Sequence, residues 1–147
     1  RSGEGGGPCF ACDDGATRAI WADDRWMLLP QKQTPFPIVL LEPRAHLDST
    51  DLEDAMAAEM GLLTVRLERA LMGLGGVGRV HVMKIGDGSA HLHLWFFARP
   101  EGLLQVRGSS VSDWSDALPV MPDDEWLALQ REIAAALAAT GGEALIS

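Results

Sequence analysis

The sequence has little of what defines several large classes of protein. It has only two cysteines in 147 residues, too few for a disulfide-rich secreted domain. No apolar run approaches the roughly 20 residues of a transmembrane helix, and no stretch resembles a signal peptide. Twelve basic residues against 21 acidic ones give a net charge of −9, which disfavours a nucleic-acid-binding surface. We therefore expect a cytoplasmic protein that binds neither nucleic acid nor membranes.

Length and composition predict one folded domain. A chain of 147 residues with 47% hydrophobic and 22% charged residues is typical of a globular domain with a sizeable core. Residues 1–8 are rich in glycine and are expected to form a flexible tail, so the domain covers residues 9–147. Since the sequence starts at Arg1 and not at methionine, we also expect that preceding residues have been removed.

The most informative stretch is residues 90–100, A-H-L-H-L-W-F-F-A-R-P, because two of the four histidines lie in it. It is apolar and aromatic with no proline before Pro100, which predicts a buried strand. Side chains alternate between the faces of a sheet, so His91, His93 and Trp95 are expected on one face. Imidazoles at positions that usually hold aliphatic side chains favour a function, although a buried histidine is often only a core residue.

Further strands and helices are predicted around this stretch. Thr50-Asp51-Leu52-Glu53 has the form of a capping box for a helix to about residue 74. Asp123 is expected to cap a last helix, and Asp13-Asp14-Gly15 predicts a turn and not a helix. Together these elements predict an α+β fold: an antiparallel sheet of about five strands, the long helix on one face, and a C-terminal helix elsewhere. The other strands are expected near residues 18–22, 25–29, 37–41 and 79–85.

The two cysteines form the motif Cys9-Phe10-Ala11-Cys12, which has three interpretations. It could be half of a metal site, a redox dithiol, or a coincidence. A redox motif normally lies between a strand and a helix, and the predicted turn after Cys12 disfavours it. Half a zinc site needs two more ligands, for which the histidines are candidates. His46, just after a predicted central strand, matters only if it converges on this motif.

Several motifs together resemble the histidine triad (HIT) superfamily. The chain has Pro43-Arg44-Ala45-His46, a long helix, a Gly/Ser turn, and then His-Leu-His-Leu-Trp-Phe-Phe from His91 to Phe97. The family motif is His-φ-His-φ-His-φ-φ, where φ is apolar. The resemblance covers about residues 9–100 in the same order of elements, and with the Cys-x-x-Cys motif it is specific.

The resemblance implies a zinc site and a nucleophile. Many bacterial members and the related galactose-1-phosphate uridylyltransferases hold a structural zinc, whose ligands match Cys9, Cys12, His46 and His91. Two thiolates and two neutral imidazoles would close a tetrahedral shell, so the zinc is expected to be structural. In the family, the middle histidine attacks the α-phosphorus of a nucleotide and forms a covalent nucleotidyl-histidine. Here that residue is His93.

One position departs from the family pattern, and three further residues match it loosely. Trp95 replaces the third histidine, and an indole can donate a hydrogen bond but cannot exchange a proton at neutral pH. Ser89 and the turn before it correspond to positions near the phosphates, Lys84 to a polar residue that faces the ligand, and Arg99 could neutralise a leaving group. Because the motif then supplies no acid, substrates with stable leaving anions are expected, such as dinucleoside polyphosphates or nucleotide sugars.

Two functions follow from this resemblance. The first is a zinc-stabilised nucleotide hydrolase or nucleotidyltransferase that acts through His93. The alternative is a catalytically degenerate HIT-fold module that binds a nucleotide or a protein partner without turnover. A homodimer is expected by resemblance alone, since relatives usually dimerise.

Overall fold

The computed structural model describes residues 1–32 and 34–147, and it has the predicted α+β fold. A sheet with the strand order β4-β5-β3-β2-β1-β6 has antiparallel pairing between all neighbours. Its strands are β1 (Trp21–Ala22), β2 (Trp26–Pro30), β3 (Ile38–Pro43), β4 (Val77–Lys84), β5 (Leu94–Pro100) and β6 (Glu143–Ala144). The helices are α1 (Phe10–Arg18), α2 (Asp54–Met72), α3 (Ser110–Ser115) and α4 (Asp123–Ala138).

One face of the sheet is covered by the two long helices. Helix α2 buries an apolar stripe with helical spacing, formed by Met56, Leu63, Leu67 and Leu71. The corresponding stripe of α4 is formed by Trp126, Ile133 and Leu137. Both stripes pack on the same cluster of sheet residues, which includes Val39, Leu41, Phe96 and Ala98. The C-terminal helix therefore lies beside α2 on the same face, whereas the sequence analysis had placed it elsewhere.

The opposite face of the sheet is covered by shorter elements. Met27 and Leu29 of β2 pack with Ala19 and Ala22, and α1 lies against β2. Farther along, Phe97 of β5 forms a second cluster with Val106 and Val111. Trp95 packs at the edge of that cluster. The segment after Pro100, for which the sequence predicted no structure, thus covers the Trp95 side of the sheet.

The first helix corrects the predicted turn at Asp13-Asp14-Gly15. Residues Phe10–Arg18 are helical, and acidic residues near a helix N-terminus are favourable because of the helix dipole. Gly15 is inside this helix for packing reasons: a Cβ there would lie 2.8 Å from Cε of Met27. The predicted strand at 18–22 is correspondingly reduced to Trp21–Ala22.

Both predicted helix caps are wrong. The capping box lies two residues earlier, between Asp48 and Asp51, and it opens a 3-10 turn over Ser49–Asp51. Helix α2 then begins at Asp54 with no side-chain cap bond, and α4 has Pro122 at the cap position instead of Asp123.

In the described part of the chain the sheet has six strands, where the sequence indicated about five. The additional strand, β6, has only two residues and pairs with β1. It depends on Gly142, where a Cβ would clash with the ring of Trp21, and on the indole N–H of Trp21, which donates to the Gly141 carbonyl at 2.9 Å. Such a tertiary contact has no local sequence signal. Over the described residues, no helix is both long and apolar enough to span a membrane.

Residues 1–8, predicted to form a flexible tail, have defined contacts with the rest of the chain. Ser2 forms a bridge with Ser89, since its N–H donates to Gly88 and its carbonyl accepts from Ala90, both at 2.9 Å. The Arg1 guanidinium lies 3.4 Å from the Asp48 carboxylate. A short 3-10 helix covers Glu4–Gly6. The flexibility of this segment stays a prediction. It can be tested through Gly3, because Gly3 lies beside two of the metal-ligand candidates.

Candidate active site and metal centre

The four predicted metal ligands come together at one end of the sheet. The donor atoms of Cys9, Cys12, His46 and His91 all lie within 4.8 Å of one another. Cys9 is buried at the start of α1, whereas Cys12 is exposed one turn later. His46 follows β3 and His91 precedes β5. Because β3 and β5 are neighbours, the two histidines reach the same corner, where α1 brings the thiols.

The donor set and its spacing fit zinc. The Nδ1 atom of His91 lies 3.5 Å from the sulfur atoms of both cysteines, and His46 Nδ1 lies 3.5 Å from that of Cys12. A tetrahedral zinc with Zn–S of about 2.3 Å and Zn–N of about 2.0–2.1 Å separates sulfur and nitrogen ligands by about 3.5 Å. The metal interpretation of the cysteine motif is therefore supported by convergence, although the argument from a turn after Cys12 was wrong.

His91 is held in the form that binds a metal. Its Nε2 lies 2.7 Å from the carbonyl oxygen of Pro43, so Nε2–H donates there and Nδ1 is left as an acceptor facing the thiols. Burial lowers the pKa of His91, which favours the neutral ring. Partial burial, reinforced by the Cys9 thiol, raises the pKa of Cys12 to about 11; a bound metal would displace that proton.

His93 lies next to this group with one ring nitrogen free. Its Nδ1 lies 2.8 Å from the carbonyl oxygen of His91, which fixes Nδ1 as the donor and leaves Nε2 with its lone pair. The ring is only partly buried. The sequence predicted both histidines inside the strand. They lie just before it, because β5 begins at Leu94. In the neutral ring, Nε2 is then the nitrogen with a lone pair, which is the atom that a nucleophilic histidine uses.

His93 lines a small cavity of about 150 Å³. The residues around it come from α1, β2, β3 and the segment before β5, and they include Phe10, Arg18, Leu40, Glu42, Ser89 and His93. Ligand pockets for whole small molecules are usually 300–1,000 Å³. This cavity therefore has room for a phosphoryl-sized group beside His93, and any larger ligand would extend over the surface.

Glu42 is an unusual residue in this cavity. It is only 7% exposed, and its Oε2 has no hydrogen-bond partner among the described residues. Burial raises the pKa of Glu42 to about 7, although the Arg18 guanidinium opposes this shift and Asp14 adds to it. A buried carboxyl without a partner is costly for a protein, and such groups cluster at functional sites.

Three residues predicted to contact substrate do not line this cavity. Lys84 pairs with Asp48 at 3.5 Å, and Arg99 is buried six residues after His93. The Trp95 ring stacks on Phe97 with centroids 5.6 Å apart and lies edge-on to His93 at 6.1 Å. Of the described residues that line the cavity, only Ser89 and His93 were predicted to act on substrate. Contact of Lys84, Trp95 and Arg99 with substrate stays a prediction.

Sequence reasoning missed Arg18 and Glu42. Arg18 was assigned to a strand, and only the fold brings the end of α1 over β3. Glu42 did carry a signal: it is the one charged residue that interrupts the apolar run of the buried strand Ile38–Pro43. A carboxylate at such a position is rarely buried without a reason.

Comparison with known proteins supports the predicted fold. No protein-family model and no curated protein matches the sequence. Among solved structures, a histidine triad protein from Bradyrhizobium japonicum is 22% identical with a TM-score of 0.65, over 86% of this chain and 93% of that one. A Zn-bound histidine triad family protein from Mycobacterium smegmatis is 24% identical with a TM-score of 0.60, over 86% and 89% of the two chains. A HIT family hydrolase from Legionella pneumophila is 16% identical with a TM-score of 0.51, over 69% and 98%.

These likenesses establish the class of fold. The chain has the fold of the histidine triad proteins, and it carries a Cys2His2 group whose donors suit zinc.

Proposed function

We propose that this protein is a zinc-stabilised nucleotidyl hydrolase or transferase that acts through His93. The observation that carries the proposal is the hydrogen bond from His93 Nδ1 to the His91 carbonyl at 2.8 Å, which leaves Nε2 free beside a phosphoryl-sized cavity. Attack of Nε2 on the α-phosphorus forms a P–N bond as the bond to the leaving group breaks. Water or a second phosphate then takes the nucleotidyl group from His93.

The charge around the cavity suits a phosphate. The Arg18 side chain lines it and is held by Asp14 at 3.3 Å, so a cation is positioned near the bound anion. Ser89 also lines the cavity, although its hydroxyl already accepts from the His91 N–H at 3.1 Å and donates to the Ser2 carbonyl at 3.4 Å. We assign Arg18 the role of neutralising the phosphate, whereas the sequence interpretation had expected Arg99 to neutralise the leaving group.

Zinc is proposed to be held by Cys9, Cys12, His46 and His91. With four protein ligands it has no open position, so it would supply rigidity and not Lewis-acid chemistry. The carbonyl that orients His93 belongs to His91, one of these ligands. A zinc ion that fixes the position of His91 would therefore also fix the orientation of the His93 ring.

The alternative is a binding module without turnover, and Trp95 is the observation that favours it. Trp95 stands where relatives have their third histidine, and its indole N–H has no partner among the described residues. The same cavity would then bind a phosphate without transferring it.

A covalent-adduct experiment separates the two functions. The protein is incubated with ATP or diadenosine tetraphosphate, quenched, and measured by intact mass. The enzyme reading predicts a mass increase of one adenylate, its location on His93 by peptide mapping, and loss of adduct and turnover in His93→Ala. His81→Ala is the matched control, since His81 is a histidine of β4 outside the cavity. Nucleotide binding with no adduct and no turnover would favour the binding module.

A further inference from the structure

Glu42 and His93 line the same cavity, where the end of β3 meets the start of β5. Strands β3 and β5 pair with Leu40 opposite Trp95 and Leu41 opposite Leu94. Continued by one residue, this register puts Glu42 opposite His93, on the face that Leu40 and Trp95 share. Side chains directly opposite each other on neighbouring strands have Cβ atoms about 4.5–5.5 Å apart. The observed pairing ends at Leu41 and Leu94, one position short of these two residues, and both of them line the same cavity of about 150 Å³.

The Glu42 carboxyl is available to a ligand. Residue Glu42 is more than nine-tenths buried, and Oε2 has no hydrogen-bond partner among the described residues. In a phosphoryl-sized cavity, a bound phosphate would be the partner that this oxygen lacks. An ionised carboxylate would repel that phosphate, whereas a protonated one would donate a hydrogen bond to it.

We infer that Glu42 is a catalytic acid, which donates a proton to the leaving atom of the nucleotidyl group attacked by His93. The inference rests on the proposed function. In this proposal, Glu42 of β3 donates the proton that the histidine motif cannot supply, because Trp95 replaces the third histidine. The residue is thus a further catalytic group of this chain.

The proton balance closes over the two steps. As Nε2 of His93 forms its bond to phosphorus, the bond from phosphorus to the leaving oxygen or nitrogen breaks, and that atom takes the Glu42 proton. Glu42 is left as a carboxylate. In the second step water attacks phosphorus, the P–N bond to His93 breaks, and the proton lost by water returns to Glu42.

The surroundings of Glu42 favour the protonated form. Met27 of β2 lies opposite it and offers no charge. Helix α1 brings Arg18, which stabilises the carboxylate, and Asp14, which destabilises it; the Cys12 thiol is also near. His91 and His93, from the segment before β5, line the same cavity. Burial outweighs Arg18 and raises the pKa of Glu42 to about 7, so a large share of molecules carries the proton at neutral pH.

The test compares two leaving groups in wild type and Glu42→Gln. Adenosine 5′-(4-nitrophenyl phosphate) releases a stable anion, whereas the nitrogen of adenosine 5′-phosphoramidate must gain a proton to leave as ammonia. Removing a general acid costs roughly 10²–10⁴-fold for the step that needs it. We expect kcat/KM of Glu42→Gln to fall by that factor for the phosphoramidate and by less than about fivefold for the nitrophenyl ester. Glu42→Asp, which keeps a carboxyl, should recover part of the loss.

The controls distinguish the possible failures. Glu132→Gln makes the same change on the exposed side of α4 and should leave both rates unchanged. An equal loss on both substrates in a Glu42→Gln protein with wild-type zinc content and melting temperature would overturn the acid role, as would no loss on either. Wild-type protein that turns over neither substrate and forms no adduct would overturn the proposed function instead.

Discussion

His93 Nδ1 lies 2.8 Å from the carbonyl oxygen of His91, so the proposed nucleophile is oriented by the backbone of a metal-ligand candidate. The His91 ring faces the thiols through Nδ1 and donates from Nε2 to Pro43. Three groups are thereby linked in series: the Cys2His2 group, the His91 backbone and the His93 ring. Disturbing the metal centre should consequently change both the stability of the domain and the position of the nucleophile.

Replacing Cys12 with serine should remove the metal. We expect the wild type to carry about one zinc per chain, and Cys12→Ser to lose it together with stability, on the order of 10 °C in Tm. Adenylation of His93 should fall as well, since the His91 backbone is no longer held. Metal content and thermal unfolding on the same samples measure both effects. Ala16→Ser, an exposed change in the same helix, is the control, and zinc-free wild type of equal stability would contradict the assignment.

The convergence of Cys9, Cys12, His46 and His91 could be predicted because the family resemblance matched these residues to a ligand set, and their residue types are rare in this chain. Both cysteines and two of the four histidines belong to the group, and zinc chemistry restricts the possible ligands strongly. The stripes of α2 and α4 could also be predicted, because helical periodicity is a local property. The order of the motifs along the chain could also be read directly from the sequence, and it supported the fold.

The cavity could not be predicted, because it depends on contacts between distant segments. Arg18 reaches it only because α1 is a helix, and the Asp-Asp-Gly sequence had predicted a turn. Gly15 appeared to be a turn residue, yet it is a packing residue against Met27. Glu42 was visible as a charge in an apolar strand, but its proximity to His93 follows from the register of β3 on β5.

Replacing Glu42 with glutamine should stabilise the protein in a pH-dependent way. A carboxyl whose pKa is raised from 4.5 to about 7 by burial costs nothing below pH 4.5, where both the folded and the unfolded chain carry the proton. Stability then falls as pH rises towards 7, because the unfolded chain ionises first. Relative to wild type, Glu42→Gln should gain about 1–3 kcal/mol at pH 8 and little at pH 5. Denaturant unfolding at the two pH values, with Glu132→Gln as control, measures this, and a difference independent of pH would exclude it.

Replacing Trp95 with histidine should supply a second acid at a cost in packing. Loss of the stack on Phe97 should lower stability by about 1–2 kcal/mol. In the Glu42→Gln background, we expect Trp95→His to raise kcat/KM for adenosine 5′-phosphoramidate by at least roughly tenfold, with little change for the nitrophenyl ester. Trp95→Phe, which keeps an aromatic stack but adds no imidazole, should give no such gain. An equal gain from both substitutions would show that the bulk of the Trp95 side chain, and not the lack of a proton donor, limits the reaction.

Gly3 offers a test of whether residues 1–8 are a flexible tail or part of the metal centre. Its φ is +76°, and a Cβ there would clash with the His46 ring and lie 3.1 Å from the Cβ of Cys9. Gly3→Ala should therefore displace a ligand as well as strain the backbone, and zinc transfer to a chelator should become about 10–100-fold faster. Gly5 also has a positive φ, of +63°, but a Cβ there has no neighbour within 4 Å. Gly5→Ala thus carries the same kind of backbone strain without the clash, and it should leave the rate of zinc loss unchanged. Equal rates in both variants and wild type would mean that the segment moves away from His46 in solution, as expected of a flexible tail.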